Sequence, residues 1–234
     1  EIRTPMNGVI GMLQVLRDSA LSQEQTTQVD VAAASANTLL RLLEDVLDLS
    51  RLEQGQLEFV SRPFSPESMA LHLTALYAAP AAAKGIRVFT TVQSDVPVLV
   101  SGDALRLRQI LLNLIGNAVK FTEVGRVEVV IGLAAPVEQQ IARLRFAVRD
   151  TGIGMDETTR TNLFQKFSQG DSSITRRYGG SGLGLALSQT LVCRMGGEIR
   201  VTSELGQGSE FSFELSFPVV DRNGAPEDES HPPD

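Results

Sequence analysis

Asn113, Asn117 and Lys120 recur at steps of four and three, so a helix would carry all three on one face. Amide oxygens are neutral, hard donors that suit a magnesium ion shared with phosphates, and an ammonium group offers a compact charge to a phosphate oxygen. A solvated helix face is the plain alternative, but asparagine is a modest helix former and two of them in mid-helix ask for a reason. Downstream, Asp150-Thr151-Gly152-Ile153-Gly154-Met155 sets a lone carboxylate before two glycines. Such a carboxylate can accept a hydrogen bond from the exocyclic amine of adenine, and the glycines let backbone approach the ring. A simple Asp-Thr-Gly turn is the alternative. Gly179-Gly180-Ser181-Gly182-Leu183-Gly184 leads into a predicted helix, and loose N–H groups at a helix start form an anion site. Each segment is weak evidence by itself; their order and spacing together point to a purine nucleotide with its magnesium ion.

Between the two glycine clusters, Ser168 to Thr175 is polar and bordered by Arg176, Arg177 and Tyr178, which reads as a lid over the nucleotide. Phe164 and Phe167 could pin that lid, or serve as ordinary core. The two histidines, His72 and His231, adjoin no carboxylate cluster and give no nucleophilic triad. Cys193, the single cysteine, excludes an intrachain disulfide and reads as a buried helix residue among Leu191, Val192 and Met195.

Two kinds of element must position these groups. At the start, Ile2, Met6, Val9, Leu13 and Leu16 keep a four-three rhythm, with Pro5 compatible with a straight helix only in its first turn. Ser22 followed by Gln25 resembles a capping box, and a second helix is predicted from about Ser22 to Gln54. Val29, Ala33, Ala36, Leu40, Leu43 and Leu47 line it, Leu39, Leu42, Val46 and Leu49 widen the stripe, and Gly55 ends it. A lone helical hairpin leaves that stripe wet, so pairing two hairpins into a dimeric four-helix bundle is the economical solution.

From Leu57 the texture changes. Helices are predicted over Pro66–Lys84, Asp103–Phe121, Asp156–Phe164 and Leu183–Met195. Strands are predicted over Ile86–Val92, Val98–Val100, Val127–Leu133, Ile141–Arg149, Ile199–Ser203 and Ser209–Phe217. Leu105, Ile110, Leu111, Leu114 and Val119 are expected on the inner side of the helix that bears the asparagines. This mixture predicts an α+β two-layer sandwich. The domains read as 1–56, a helical hairpin; 57–66, a linker; 67–220, the nucleotide domain; and 221–234, a Pro-rich, acidic tail or linker.

The net charge of −7 argues against a general grip on nucleic acid, and no apolar run suggests a membrane span or direct membrane contact. One cysteine fits a cytoplasmic setting. The chain opens at Glu1 without a methionine and reads as a fragment, which leaves open a parent anchored in the bacterial inner membrane.

At this point the motifs resemble those of sensor histidine kinases. Leu112 to Thr122 looks like their N box, Asp150 to Met155 like the G1 box, Phe164 to Phe167 like the F box and Gly180 to Gly184 like the G2 box. Glu1-Ile2-Arg3-Thr4-Pro5-Met6-Asn7-Gly8 is similar to the H box, in the wording found in hybrid kinases. The resemblance implies a dimerisation and phosphotransfer bundle followed by a Bergerat ATP-binding fold. It also implies a reaction, in which the γ-phosphoryl of ATP passes to a histidine and then to an aspartate of a response-regulator receiver domain, in cis or in trans.

By matching position, Asn117 and Asn113 would hold magnesium, Lys120 would contact phosphate and Asp150 would read adenine. Gly152, Gly154, Phe167, Arg177, Gly180, Ser181, Gly182, Leu183 and Gly184 would shape the ATP pocket and lid. Glu1 would be the general base beside the phosphoacceptor, and Thr4 would serve in phosphatase action. The phosphoacceptor histidine is expected immediately before Glu1. The competing readings are an ATPase of the gyrase, Hsp90 or MutL kind, and a non-catalytic ATP-binding module that regulates another kinase by dimerising with it.

Overall fold

The computed structural model describes residues 3–164 and 182–220. Its chain divides into two compact units, Glu1–Leu57 and Glu58–Asp234.

The first unit is a helical pair, α1 (Arg3–Arg17) and α2 (Gln23–Glu53), packed on each other. Pro5 falls in the first turn of α1, where its missing donor costs no intrahelical bond. The α2 start is a capping box: the Gln25 amide nitrogen donates to Ser22 Oγ at 3.2 Å, and the Ser22 N–H donates to Gln25 Oε1 at 2.9 Å. Its end is a Schellman turn. Gly55 takes a φ of +68°, its N–H reaches the Leu52 carbonyl, and the Gln56 N–H reaches Arg51. Val9, Met12, Val15, Leu16, Val31, Leu39, Val46 and Leu47 remain exposed in the single chain.

In the second unit a five-stranded sheet is ordered β2-β4-β5-β7-β6. The strands are β2 (Ile86–Val92), β4 (Gly125–Leu133), β5 (Ile141–Asp150), β6 (Arg200–Glu204) and β7 (Gly208–Pro218). β2 and β4 run parallel and the other neighbours antiparallel. A small antiparallel pair, β1 (Arg62–Phe64) with β3 (Val100–Gly102), lies outside that sheet. The stretch 57–66 holds the paired strand β1, and the strand expected at Val98–Val100 sits two residues later.

Parallel pairing demands a crossover, and α4 (Ala104–Phe121) lies between β2 and β4 in the chain. It packs on the sheet, on α3 (Pro66–Ala82) and on α6 (Gly184–Arg194). A short α5 (Glu157–Asn162) is capped by Asp156, which accepts from the Thr159 N–H at 2.7 Å. The core is the inner sheet face against α4. Leu107, Ile110, Leu111, Leu114 and Ile115 meet a sheet face bearing Val129, Ile131, Leu144, Phe146 and Phe213, with Phe146 and Phe213 stacked at 5.2 Å. Side chains alternate along β5: Leu144, Phe146 and Val148 are buried, while Arg143, Arg145 and Arg149 pair with Glu214 and Glu210 on the wet face.

Two expectations fail. Leu105 is 66% exposed, because two residues from Leu107 is the opposite side of a 3.6-residue helix. Cys193 is exposed on α6, where Leu191 and Val192 take the buried positions.

Both ends of α4 are tied down. Asp103 is buried; its Oδ1 accepts from the Arg106 N–H and its Oδ2 from the Val60 N–H, each at 2.9 Å. At the other end, Lys84 Nζ donates to the carbonyls of Val119 (3.0 Å) and Lys120 (3.4 Å), a cation placed where helix carbonyls lack partners. Lys84→Met is expected to lose about 0.5–1 kcal/mol, lowering the melting temperature of this unit by roughly 2–4 °C in a calorimetric scan.

Candidate functional site

The predicted amide face exists. Asn113, Asn117 and Lys120 lie on α4, each half-buried, while Leu114, Ile115, Ala118 and Val119 fill the buried positions between them. Asn113 Nδ2 donates to Ser188 Oγ of α6 at 2.9 Å. The Asn117 side chain has no hydrogen-bond partner among the described residues, which leaves its oxygen as an accepting group on a polar patch of an otherwise apolar helix. Lys120 stacks its ammonium over the Phe121 ring, 4.7 Å from the centroid.

The first glycine bend closes against the end of this helix. Asp150 is the last residue of β5, and its Oδ1 accepts from the Gly152 N–H at 2.8 Å. The Ile153 N–H donates to the Phe121 carbonyl at 3.3 Å, and the Gly206 N–H donates to the Ile153 carbonyl at 2.7 Å. Glycine is needed at the close approaches. A Cβ on Gly152 would collide with the Phe121 carbonyl, and one on Gly154, which has a φ of +63°, would collide with the Glu204 carbonyl. Gly208, the first residue of β7, is seated on the Asp150 carbonyl in the same way, with a φ of +97°. Sequence reasoning did not single out Gly208. The spacing of Gly206 and Gly208 between two predicted strands was the available signal.

The Asp150 carboxyl sits above its ordinary range. Burial raises it, and hydrogen bonds from the backbone of Gly152 and Ser209 only partly offset the rise. A partly desolvated carboxyl is suited to a neutral donor that arrives with a ligand.

The second glycine bend is seen from Gly182 onward. Gly182 has a φ of +67°, Leu183 is buried at the start of α6, and a Cβ on Gly184 would collide with Asn113 Oδ1. Gly152 and Gly184 thus both press on α4, at its Phe121 carbonyl and at Asn113. Thr4 lies on α1, exposed to solvent, and belongs to the other unit. Glu1, Phe167, Arg177, Gly180 and Ser181 lie outside the described residues.

The donor set fits a magnesium nucleotide better than a protein-caged metal. No group of three or more His, Cys, Asp or Glu side chains with metal-binding spacing occurs among the described residues, so an ion here would rest on amide oxygens and on phosphates of its ligand. No described helix is long and apolar enough to cross a membrane.

Comparison with known proteins agrees with this geometry. The sequence model described as "Histidine kinase-, DNA gyrase B-, and HSP90-like ATPase" matches residues 102–219, and that of the "His Kinase A (phospho-acceptor) domain" matches residues 1–55. The chain is 42% identical over 217 residues to the signal transduction histidine-protein kinase BarA of Escherichia coli (strain K12), covering 93% of this chain and 24% of BarA. It is also 42% identical over 218 residues to the sensor protein GacS of Pseudomonas syringae pv. syringae, with 93% and 24% covered. The chain thus spans about a quarter of the length of these curated relatives. Among solved structures, full-length ShkA in complex with AMPPNP superposes with a TM-score of 0.77 at 39% identity, over 94% of this chain and 44% of that one. The Acinetobacter baumannii histidine kinase AdeS shares the fold at a TM-score of 0.64 and 21% identity, over 92% of this chain and 96% of AdeS. A helical phospho-acceptor segment leads into a sheet domain that seats two asparagines, a desolvated aspartate and glycine cradles around one helix; the chain belongs to the histidine kinase-, DNA gyrase B- and HSP90-like ATPases, and among them it is a histidine kinase catalytic core.

Proposed function

We propose that this chain binds ATP with magnesium and acts as the ATP-dependent protein-histidine kinase core of a two-component system. The observation that carries the reading is the joint between α4 and the first glycine bend. The turn that presents Asp150 docks on the carbonyl of Phe121, one residue beyond Lys120 and four beyond Asn117. Groups suited to adenine and groups suited to phosphates are thereby set on a single rigid seat.

In this reading Asp150 accepts from the adenine amine, the glycine bends admit the ring and phosphates, Lys120 contacts phosphate, and Asn117 with Asn113 holds magnesium. Magnesium, when bound, neutralises charge on the phosphates. The chain's own work is positioning, because phosphoryl transfer needs in-line placement more than covalent help. The acceptor is a neutral imidazole nitrogen of a histidine preceding Glu1. Its N–P bond forms as the bond from the γ-phosphorus to the bridging oxygen of ADP breaks. Glu1 orients the ring and takes up the developing positive charge, and the proton leaves to solvent.

Phosphate then passes to an aspartate of a response-regulator receiver domain, in cis or in trans, and Thr4 serves in phosphatase action, in which water takes the phosphoryl group from that aspartate. The H-box wording supports a hybrid parent with its own receiver domain. The exposed apolar row on α1 and α2 supports homodimerisation into a four-helix bundle. Asn113 supports phosphotransfer over ATP hydrolysis of the gyrase kind, since its carboxamide, bound to Ser188, cannot serve as a base for water.

Two outcomes are expected. Asp150→Asn keeps an oxygen for Gly152 but loses the charge that burial penalises. Because the folded carboxyl is raised, its ionisation removes stability as pH climbs through its folded value. The nucleotide-free variant should therefore melt at or above the wild type at pH 7.5, and this advantage should shrink as pH falls through that value toward the ordinary carboxyl range. Its affinity for ATP should drop about 10–100-fold by titration calorimetry, the size of one charged hydrogen bond. Asn117→Asp, which sets a negative charge against the phosphates, should bind no ATP at all; unchanged affinity in both variants would remove the site assignment. Separately, the chain extended by a histidine before Glu1 should become an acid-labile, base-stable phosphoprotein with ATP, whereas an acid-stable label would mean a hydroxyl acceptor.

A further inference from the structure

Ser188 is a buried polar residue outside every motif discussed above. It lies on the second turn of α6 and is 2% exposed. A buried hydroxyl in a helix can satisfy itself on the carbonyl four residues back, as Thr190 does with Ala186 at 2.8 Å on the same helix. Ser188 instead reaches across to α4 and accepts from Asn113 Nδ2, 75 residues away in sequence, at 2.9 Å. The other end of that carboxamide, Oδ1, lies over Gly184, where only glycine leaves room for it.

This arrangement sets where the two ends of the Asn113 carboxamide lie. A carboxamide has one accepting and one donating end, and a cation is served only by the oxygen. With the nitrogen committed to Ser188, the oxygen is the end turned to the first turn of α6, the turn that follows the second glycine cluster. Swapping the two ends would present N–H groups to a cation. Gly184 and Ser188 are one turn apart on α6, so both contacts are made or lost together when α6 shifts against α4.

We propose that Ser188 is a positioning residue that holds the Asn113 carboxamide against α6, with its nitrogen on Ser188 and its oxygen over Gly184, and so couples magnesium occupancy to the placement of α6. The proposal rests on the magnesium–nucleotide reading given above. Coupling of this kind is reciprocal: magnesium nucleotide holds α6 against α4, and a well-placed α6 tightens magnesium.

The test is calorimetric titration of the whole 234-residue chain with AMPPNP across a series of magnesium concentrations, with a parallel series in chelator. Wild type, Ser188→Ala, Ser188→Cys, Asn113→Ala and the Asn113→Ala/Ser188→Ala pair are compared. Ser188→Ala should raise the magnesium concentration for half-maximal binding about threefold to tenfold, the scale of one hydrogen bond, and leave the magnesium-free affinity unchanged. Ser188→Cys, which keeps the shape but accepts weakly, should follow the alanine variant. In the Asn113→Ala background the serine substitution should change nothing, because the bond is already gone.

An equal loss with and without magnesium, or an undiminished loss in the Asn113→Ala background, would show that Ser188 serves packing alone and would overturn the proposal. A Ser188→Cys chain that binds like wild type would overturn it too. Should wild-type binding require magnesium while Ser188→Ala titrates identically, the proposal falls and the functional reading stands. Wild-type binding indifferent to magnesium would bring down both.

Discussion

The last turn of α4 is the constraint on which the site depends. A helix end leaves carbonyls without intrahelical partners, and here donors from two other segments claim them. Lys84 Nζ takes Val119 and Lys120, and the Ile153 N–H takes Phe121. The same turn carries Lys120, and Asn117 lies one turn before its end. Orienting the phosphate-side groups and seating the aspartate bend are thus one structural act. If that turn frayed, the amides would lose their direction and Gly152 would lose the surface it packs on.

The second organising fact is electrostatic. The chain is acidic, yet its proposed ligand is an anion, so attraction must be local. In the proposed reading Lys120 would supply one cation and the start of α6 oriented backbone. Asp150 runs the opposite way. Its charge is partly stripped of water, with two backbone donors as incomplete compensation. Its presence at the one bend where three glycines press against neighbouring backbone is what ties the geometry to a ligand that brings a hydrogen-bond donor.

Much of this was legible in the sequence, for identifiable reasons. Caps announce themselves locally: Ser22 with Gln25, Asp103 and Asp156 each begin the helix expected of them. Period-two alternation fixed which face of β5 is buried, because a strand allows only two faces. Leu105 was misplaced by letting residue type override helical phase, and Cys193 by letting its apolar neighbours speak for it. Periodicity assigns a residue to a face but does not name what meets it. The Asn113–Ser188 bond, the Gly208 seat beneath Asp150 and the Lys84 cap all join segments tens of residues apart, so they became visible only once the sheet order brought those segments together.

The most direct test of the account is a crystal structure of the chain with magnesium and AMPPNP. The account predicts the adenine amine on the Asp150 carboxylate and the metal on the Asn117 oxygen, with the phosphates between Lys120 and the bend ending at Gly184. A cleft left empty at saturating ligand, or an adenine ring bound away from Asp150, would contradict it.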